Sequence, residues 1–461
     1  MSLRVEKDSL GEVKVASEVL WGAQTQRAVD NFKISGLRFQ REFIRALAIV
    51  KMSAASANMR IGCLDPGYGK EIFQAAEEII TGQKDNQFPL DIFQTGSGTS
   101  FNMNINEVIS NMVNVKSGKS PGTKSPVHPN DHVNMGQSSN DVIPTAIHIA
   151  IAEIVSRKLL PSLNLIYESF LKKGKEFSEV VKLGRTHLQD ATPVRIGQEF
   201  GGYAEMIKKN IKRLESALQG IFELPLGGTA VGTGLNTHSD FAVIAIKEIS
   251  DFTNLRFSEA SDHFEAQSCK DSIVFISSAF KTLAVSLFKI ANDIRWAGSG
   301  PFGGIGELIL PEVQPGSSIM PGKINPVIPE SVLQVCAKVM GNDATISMCG
   351  QSGNFQLNTM MPLIGFTSIE SCLLLTNCID TLRGKCINGL KVDISRCNEL
   401  VEKSLAMATA IVPEIGYDAA SEIAKEAYLT GKTVRELLIR KKLIDENKIN
   451  DLLDPMKMTG K

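Results

Sequence analysis

Two serines, a lysine and an asparagine stand close together in PGSSIMPGKINPVIPE, Pro315 to Glu330. Gly and Pro occur four times between Pro315 and Gly322, which indicates a loop and not part of a helix or strand. The polar side chains of this loop are hydroxyls, one amide and one cation: Ser317, Ser318, Lys323 and Asn325. Such groups donate hydrogen bonds and positive charge, so they suit a ligand that carries carboxylates.

Four further polar, glycine-rich patches border predicted helices. They are QTGSGTSFNMNINEV with Ser97 and Thr99, VHPNDHVNMGQSSNDVIPTA with Ser138, Ser139 and Asn140, GRTHLQDATPVRIGQE with Thr186 and His187, and LGGTAVGTGLN around 229–236. Each patch alone has a structural explanation, since a Ser-Ser-Asn-Asp run commonly caps a helix and a lone histidine is more often structural than catalytic. Together with the loop, the patches supply many donors and few negative charges, which predicts a site for a small dicarboxylate.

The sequence lacks the patterns of cofactor and metal chemistry. It contains no GxGxxG after a strand, no P-loop and no parallel-strand pattern. The only close histidine pair, in HPNDH, has a proline between its members and no third ligand at a recognisable spacing. We therefore expect acid/base catalysis without a cofactor and without a metal.

Amino-acid composition restricts the classes of binding partner and the cellular compartment to be expected. The 461 residues carry 49 basic and 50 acidic side chains, so no long-range field favours nucleic acid or an anionic membrane. The eight cysteines form no CxxC pair, which is typical of reduced thiols in a reducing compartment. The N-terminus has no signal-peptide pattern, and no segment has the eighteen or so uncharged apolar residues of a membrane span. We expect a soluble, cytoplasmic protein.

Helical periodicity dominates the middle of the chain. The stretch Glu265 to Ala297 has no Gly or Pro, and its apolar residues from Ile273 to Ile294 recur at steps of three and four, which predicts one long helix. Similar stretches cover 145–160, 198–218, 331–348 and 364–382. The pattern predicts a mainly all-α protein whose middle consists of antiparallel long helices.

Changes in predicted helix length and in the frequency of Gly, Asn and Pro divide the chain into three predicted domains. The N-terminal domain, 1–138, has short helices separated by Gly, Asn and Pro clusters, and the central domain, 139–393, holds the long helices. A small helical domain, 394–461, follows, with turns predicted at Gly416 and Gly431. No fixed-period repeat occurs, which argues against a helical solenoid.

These motifs resemble a known family across nearly the whole chain. GSSIMPGKINP is similar to the signature of the fumarase/aspartase superfamily, whose members remove a group β to a carboxylate and release fumarate. Within it, QTGSGTS, VHPNDHVN, QSSNDV, GRTHLQDATP, GGTAVGTGLN and GELILPE resemble the class II fumarate hydratases. The resemblance implies a central bundle of five long helices, a homotetramer with a twenty-helix core, and active sites built from three subunits.

The resemblance also implies roles for individual residues. Ser317 would be the base that deprotonates carbon, and Lys323 and Asn325 would stabilise the resulting aci-carboxylate. His187 would pair with Glu330 and manage the proton at the hydroxyl end. Substrate binding would fall to Thr186 and to the matched small polar residues, Ser97, Thr99, Ser138, Ser139 and Asn140. His128, Asn130 and Asp131 match a second, peripheral dicarboxylate site, although a turn stabilised by Asn and Asp side chains explains them equally well.

Three alternatives stay open from the sequence. Ser318 could replace Ser317 as the base. The ending NPVIPE looks more like aspartate ammonia-lyases, although SSND and GGTA stand where those enzymes typically have STND and GATA. Phe302 and Lys270 also stand where fumarases commonly have Arg and His. The third alternative is a non-catalytic helical scaffold. A scaffold would be expected to have lost active-site residues, whereas the key residues of the predicted site are all present.

Overall fold

The computed structural model describes residues 2–460, which form two compact units. The first unit comprises the chain up to Pro161 together with Lys212–Ala284 and Ala337–Thr376. The second comprises Ser162–Ile211, Val285–Cys336 and the chain from Asn377 onward. Each unit thus draws on three separate parts of the sequence. The division into domains 1–138, 139–393 and 394–461 stays a prediction.

Helices account for most of the described chain. Within residues 2–460 they are α1 (Ala23–Asn31), α2 (Arg41–Arg60), α3 (Pro66–Ile80), α4 (Thr99–Lys116), α5 (Ser139–Ile154), α6 (Leu160–Glu176), α7 (Ile196–Leu218), α8 (Phe241–Thr253), α9 (His263–Ser268), α10 (Asp271–Ala297), α11 (Val327–Gly350), α12 (Met361–Lys385), α13 (Ile394–Lys403), α14 (Val412–Ile415), α15 (Tyr417–Thr430), α16 (Val434–Lys441) and α17 (Glu446–Leu452). This confirms the mainly all-α prediction.

The strands are short and pair two by two. They are β1 (Leu3–Asp8), β2 (Gly11–Ala16), β3 (Val181–Thr186), β4 (Gln189–Arg195), β5 (Glu223–Leu224), β6 (Ser258–Glu259), β7 (Leu308–Ile309), β8 (Gly353–Asn354), β9 (Leu357–Asn358) and β10 (Lys391–Val392). The pairs β1–β2, β3–β4, β7–β10 and β8–β9 are antiparallel, whereas β5–β6 is parallel. Strand pairs this small are not stable alone and depend on the helices against which they pack.

The predicted long helical stretches are confirmed, with wider bounds. The stretch 145–160 belongs to a helical run from Ser139 to Glu176, in which one π-type turn, Val155–Leu159, links α5 to α6. Proline does not end this run: Pro144 lies within α5, and Pro161 is the second residue of α6, just after the π-type turn. The stretches 198–218, 331–348 and 364–382 lie inside α7, α11 and α12.

The predicted single helix from Glu265 to Ala297 is wrong, because the chain breaks between α9 and α10. Cys269 is extended, and the helical backbone resumes at Asp271. The buried Lys270 ammonium donates to the carbonyl oxygens of Ala266, Gln267 and Cys269 at 2.8, 3.0 and 2.7 Å. It thereby satisfies carbonyl groups that lose their helical partners at the end of α9. No Gly or Pro marks the break, and the apolar period begins only at Ile273, so the sequence pattern did not reveal it.

Asparagine side chains of α4, a helix that the sequence analysis did not predict, hold neighbouring loops. Asn111 donates to the carbonyl oxygen of Leu20 at 2.8 Å and accepts from the backbone N–H of Gly122 at 2.8 Å. Asn114 donates to the Val127 carbonyl at 3.0 Å and accepts from its N–H at 2.9 Å. Amide side chains suit this role because each offers donors and an acceptor to a loop backbone. Helix α4 therefore anchors the segments that carry the polar patches.

Polar contacts also join the long helices inside each unit. In the first unit, Asp343 of α11 accepts from Ser277 and Lys281 of α10 at 2.8 and 2.6 Å. In the second unit, Asn210 of α7 donates to Ser286 of α10 at 2.9 Å. Buried polar groups need such partners, and the contacts fix which helices are neighbours.

Two helical segments, Asp271–Ala297 and Met361–Gly389, are long and apolar enough to cross a membrane by length and composition alone. Half of the most apolar window of the first and 67% of that of the second are buried inside the protein. Core helices of soluble proteins satisfy the same criterion, so these segments carry little weight as membrane spans.

The C-terminal helices pack around a small apolar core that also includes Leu183 of β3. Val401, Ile411, Ile423, Leu437 and Leu438 are all buried in it. The predicted turns at Gly416 and Gly431 are confirmed: both residues have positive φ angles, 79° and 69°, which glycine adopts without steric cost.

Candidate active site

The N-terminal turn of α5 presents three of the predicted site residues. Ser138 is the N-cap residue, and its Oγ accepts from the backbone N–H of Asn140 at 3.3 Å. The Ser138 N–H in turn donates to the Asp141 carboxylate at 2.9 Å, which completes a capping box. The structural explanation of the Ser-Ser-Asn-Asp run is thus confirmed, and the same turn holds Ser138, Ser139 and Asn140 in fixed positions.

Asp141 also joins this turn to the LGGTAVGTGLN patch. Its second carboxylate oxygen accepts from the backbone N–H groups of Gly227 and Thr229 at 3.1 and 3.0 Å. Asn140 donates through Nδ2 to the carbonyl oxygen of Ala230 at 2.7 Å. Burial raises the pKa of the Asp141 carboxyl, and the three N–H donors oppose that shift. Two patches that lie about 90 residues apart in sequence therefore form one surface.

The first patch joins the same group at the start of α4. Ser97 and Thr99 share a hydrogen bond of 2.7 Å between their hydroxyl oxygens. Gly98, between them, has a φ of 72°, and a Cβ there would lie 2.9 Å from Ile143 of α5. One turn further along α4, Asn102 donates to Ser139 Oγ at 3.4 Å. The first unit therefore brings together Ser97, Thr99, Ser138, Ser139 and Asn140.

The second unit holds the loop from Pro315 to Pro326. Its base is closed by the Gly316 N–H, which donates to the Lys323 carbonyl at 2.8 Å, and by Asn325 Nδ2, which donates to the Gly316 carbonyl at 2.5 Å. A Cβ on Gly316 would lie 2.4 Å from the Lys323 carbonyl oxygen, so only glycine fits this close approach. The loop lines a cavity of about 450 Å³ that includes Ser317 and Lys323.

Ser317 has the more polarised hydroxyl of the two loop serines. Its Oγ accepts from the backbone N–H groups of Ile319 and Met320 at 3.2 and 3.0 Å. Two N–H dipoles aimed at one oxygen favour negative charge on it. No such pair of donors contacts Ser318 Oγ within the described chain. This geometry favours Ser317 over Ser318 as the residue that loses a proton.

His187 lies at the tip of the β3–β4 hairpin, where the chain turns in two residues. Thr186 pairs with Gln189, so His187 and Leu188 are the central residues of the turn. Their φ angles are 56° and 61°, the pattern of a type I′ turn, which normally selects Asn and Gly. Holding two larger side chains there costs about 1–2 kcal/mol each. The hairpin thus exposes Thr186 and His187 on a strained, narrow turn.

A buried ion-pair network supports the base of this hairpin. Glu307, whose side chain is fully buried, accepts from Arg185 through both carboxylate oxygens at 2.9 Å. Lys182 lies 3.2 Å from Glu307 and 3.1 Å from Glu199 of α7. Burial by itself would lower the pKa of Lys182, but the two carboxylates raise it above its ordinary value. The network fixes the strand that carries Thr186 and His187.

The expected partners His187 and Glu330 are not bonded to each other within one copy of the described chain. Neither a hydrogen bond nor an ion pair joins His187 to Glu330, both of which the structure describes. Glu330 lies in the first turn of α11, four residues after Pro326, to whose carbonyl oxygen it donates its N–H at 3.1 Å. The expected His187–Glu330 pair is therefore absent within a single copy of the described chain.

The predicted peripheral group forms a self-contained turn. His128 Nδ1 accepts from the backbone N–H groups of Asn130 and Asp131, both at 3.2 Å, and caps the π-type turn Pro129–Val133. Burial lowers the pKa of the His128 imidazole, which suits a ring nitrogen that accepts hydrogen bonds. The imidazole stabilises the turn here, whereas the sequence analysis assigned that part to Asn and Asp side chains.

Comparisons with known proteins match almost the whole chain. The family model described as Lyase matches residues 11–341, and the model described as Fumarase C C-terminus matches residues 407–460. A fumarate hydratase class II from Methylorubrum extorquens is 46% identical over 99% of this chain and 96% of its own length. The chain belongs to the class II fumarate hydratase family.

Further relatives agree with that membership. A fumarate hydratase class II from Nitrosomonas europaea is 47% identical over 99% of both chains. The crystal structure of a class II fumarase from Schistosoma mansoni superimposes with a TM-score of 0.95 at 38% identity, and covers 99% of both chains. The expected fumarase/aspartase fold is therefore confirmed.

Sequence analysis missed two residues behind the site. Lys51 lies fully buried in α2 below the Ser138–Asn140 turn, and Asp141 was considered only as a helix cap. A charged residue inside the apolar run ALAIVKMSAASA was the available signal for Lys51, because a buried cation requires polar partners. Nothing in the sequence indicates which partners those are.

Proposed function

We propose that this protein is a fumarate hydratase, which catalyses the reversible hydration of fumarate to L-malate. Similarity to class II fumarate hydratases over nearly the whole chain supports the reaction. The observation on which the proposed chemistry rests is Ser317 Oγ, which accepts two backbone N–H groups beside a lysine-bearing loop. A hydroxyl in that environment can lose its proton at lower cost than in water.

In the direction from malate to fumarate, the Ser317 alkoxide takes a proton from the carbon next to a carboxylate. The electron pair of that C–H bond moves into the carboxylate and forms a dianionic aci-carboxylate. Lys323 and Asn325 stabilise this dianion by charge and hydrogen bonding. The C–O bond then breaks, and the departing hydroxyl takes a proton from His187, directly or through a water, and leaves as water.

The remaining site residues bind and orient the substrate. Ser97, Thr99, Ser138, Ser139 and Asn140 supply hydroxyl and amide donors for the carboxylates and the hydroxyl group, and Thr186 supplies another. Glu330 holds the His187 imidazole and favours its charged form. His128, Asn130 and Asp131 would form a second dicarboxylate site that takes no part in the chemical step. None of these steps requires a metal or an organic cofactor.

We further propose a homotetramer in which each active site combines residues of three subunits. Several large apolar side chains of α10 support this assembly, because they are exposed in the single chain: Phe275 by 59%, Val285 by 54%, Phe288 by 39% and Trp296 by 46%. Exposed apolar surface on a long helix favours helix packing with other copies. In that assembly Glu330 reaches His187 from another subunit.

We place the enzyme in the cytoplasm and in the tricarboxylic acid cycle, on the basis of its fumarate hydratase relatives and its free cysteines. Eight free thiols, six of them buried, suit a reducing compartment.

A substrate panel tests the proposed function. Purified protein without added metal should convert L-malate to fumarate, which absorbs in the ultraviolet, and should release no ammonia from L-aspartate. Ammonia release with no turnover of malate would make the protein an aspartate ammonia-lyase. Absence of turnover on both compounds would favour the scaffold alternative.

A further inference from the structure

A fully buried lysine lies behind the substrate-binding surface of the first unit. Lys51 is in the middle of α2 and is 0% exposed. Its Nζ donates to Asn134 Oδ1 at 3.0 Å and to Gln137 Oε1 at 2.9 Å. Both acceptors belong to the segment that leads into the N-terminal turn of α5. Among the described residues, the lysine therefore bonds only to the segment that presents Ser138, Ser139 and Asn140.

Asn134 is the centre of a wider network. Its Oδ1 also accepts from Asn102 and Asn106 of α4, both at 3.1 Å, and its Nδ2 donates to the Gln137 carbonyl at 3.1 Å. Asn102 reaches Ser139 Oγ from the same amide nitrogen at 3.4 Å. A continuous path of hydrogen bonds thus leads from the Lys51 ammonium to a proposed substrate-binding hydroxyl.

Gln137 completes the support of the segment. Its Nε2 donates to the carbonyl oxygens of Val133 and Met135 at 3.0 and 3.1 Å, while its Oε1 accepts from Lys51. The segment 133–137 also contains Gly136, with a φ of 70°. An irregular backbone of this kind keeps one conformation only where side chains hold it, and here the holding groups converge on one ammonium.

Burial opposes the charge on Lys51, and one carboxylate favours it. The field of Asp141, a carboxylate of the same turn that accepts from backbone N–H groups, acts on Lys51. Burial lowers the pKa of Lys51 to about 7, and Asp141 opposes that shift. An apolar side chain of similar length would avoid the cost of burying a cation. The free-energy cost of burying the Lys51 cation is therefore offset by the hydrogen bonds with which it fixes the turn.

We propose that Lys51 is a positioning residue for the dicarboxylate site: through Asn134 and Gln137 it holds the Ser138–Asn140 turn in the conformation that binds a substrate carboxylate. The proposal rests on the proposed function for the identity of the substrate. Lys51 is fully buried and lies behind this turn, so its effect is on binding and not on the chemical step. Loss of the ammonium should raise KM more than it lowers kcat.

The test compares Lys51→Met with Lys173→Met in the purified, assembled enzyme. Lys173 is a matched control because it is also a buried lysine, bonded to the Leu390 carbonyl at 2.7 Å, but it lies in the second unit outside the network. Lys51→Met should raise KM for L-malate about tenfold, which corresponds to about 1.4 kcal/mol of binding free energy. The kcat of this variant should stay within about threefold of the wild-type value. Lys173→Met should leave KM near the wild-type value.

Binding of succinate, an unreactive dicarboxylate, provides a readout that needs no turnover. Its dissociation constant, measured by calorimetry, should rise about tenfold in Lys51→Met and return toward the wild-type value in Lys51→Arg, which restores a buried cation. An assembled Lys51→Met enzyme with unchanged KM and unchanged succinate affinity would overturn the proposal. If Lys51→Met does not fold, Gln137→Met tests the proposal instead, because it removes one of the two acceptors of the Lys51 ammonium. A KM raised about threefold in Gln137→Met supports the proposal, and an unchanged KM overturns it.

The two proposals can fail separately. If the wild-type enzyme converts L-aspartate and not L-malate, the proposed function fails, and the same comparison of KM is made with aspartate. If the wild type has neither activity but binds succinate, the calorimetric comparison alone decides whether Lys51 positions the turn. Loss of succinate affinity in Lys51→Met would support the positioning role in that case too.

Discussion

Met320 donates its backbone N–H to the Oγ of Ser317 across 3.0 Å, and Ile319 does the same at 3.2 Å. This relationship separates two serines that are adjacent and chemically identical in the sequence. Charge that develops on Ser317 Oγ is stabilised by dipoles that are already in place, so no reorganisation is needed when the proton leaves. It is the structural basis for assigning the base.

Replacement of the two loop serines should have unequal effects. Ser317→Ala should lower kcat for malate dehydration by about 10³-fold or more, which corresponds to roughly 4 kcal/mol of transition-state stabilisation. Ser318→Ala is the matched control and should lower kcat less than tenfold. Steady-state rates, with the assembly state checked by sizing, measure both. A larger loss in Ser318→Ala than in Ser317→Ala would reverse the assignment.

At the hairpin tip, His187→Asn should separate catalysis from folding. Asparagine tolerates the positive φ of 56° better than histidine, so the melting temperature should stay the same or rise. The imidazole is lost, and kcat should fall by about 10²-fold, the usual contribution of a general acid or base. Leu188→Asn is the control, since it relieves strain at the adjacent position and keeps His187. Retention of full activity in His187→Asn would exclude the proton-transfer role.

Removal of the Asp141 carboxylate should destabilise the first unit. Asp141→Ala leaves the N–H groups of Ser138, Gly227 and Thr229 buried without their acceptor, at about 1–3 kcal/mol each where no water replaces it. We expect a loss of at least about 3 kcal/mol in the free energy of unfolding, measured by urea denaturation at fixed protein concentration. Asp251→Ala, at an exposed ion pair with Lys247, should change it by less than about 1 kcal/mol. Equal effects of the two variants would contradict this account.

Burial of Lys51 predicts a pH dependence of stability with a defined sign. The pKa of Lys51 is about 7 in the folded protein against an ordinary value of 10.5, so between these values the unfolded chain binds more protons. Stability then rises with pH in that window, by up to about 1.4 kcal/mol per unit. The free energy of unfolding of the wild type, minus that of Lys51→Met, should increase between pH 7 and pH 9. If the free energies of unfolding of the wild type and of Lys51→Met change with pH in parallel, Lys51 does not titrate in this range.

The proposed tetramer depends on the exposed apolar side chains of α10. Phe275→Glu and Phe288→Glu should each weaken the assembly, seen as smaller species in analytical ultracentrifugation, and should lower activity because the site needs several subunits. Tyr428→Glu provides the control, since Tyr428 is 78% exposed and lies in α15, outside the long helices. A full-size, fully active Phe275→Glu enzyme would argue against packing of this face.

Local patterns predicted much of the fold. The small helical domain 394–461 was expected, and within it α16 begins at a capping box that joins Thr433 to Glu436, three residues apart. The break at Cys269–Lys270 escaped prediction because no Gly or Pro marks it. Helix α4 escaped as well, since its asparagines resemble loop residues until their partners in distant loops are known.

The sequence by itself determined the helical class, the small donor-rich side chains and the five segments in which they occur, because residue type and periodicity are local properties. Only the tertiary structure decided which serine receives two N–H donors, that Asp141 joins segments about 90 residues apart, and that Lys51 lies beneath the Ser138–Asn140 turn. These features depend on hydrogen bonds between groups that are distant in the chain. Packing determines which groups form these bonds, and the type of a residue alone does not identify its partner.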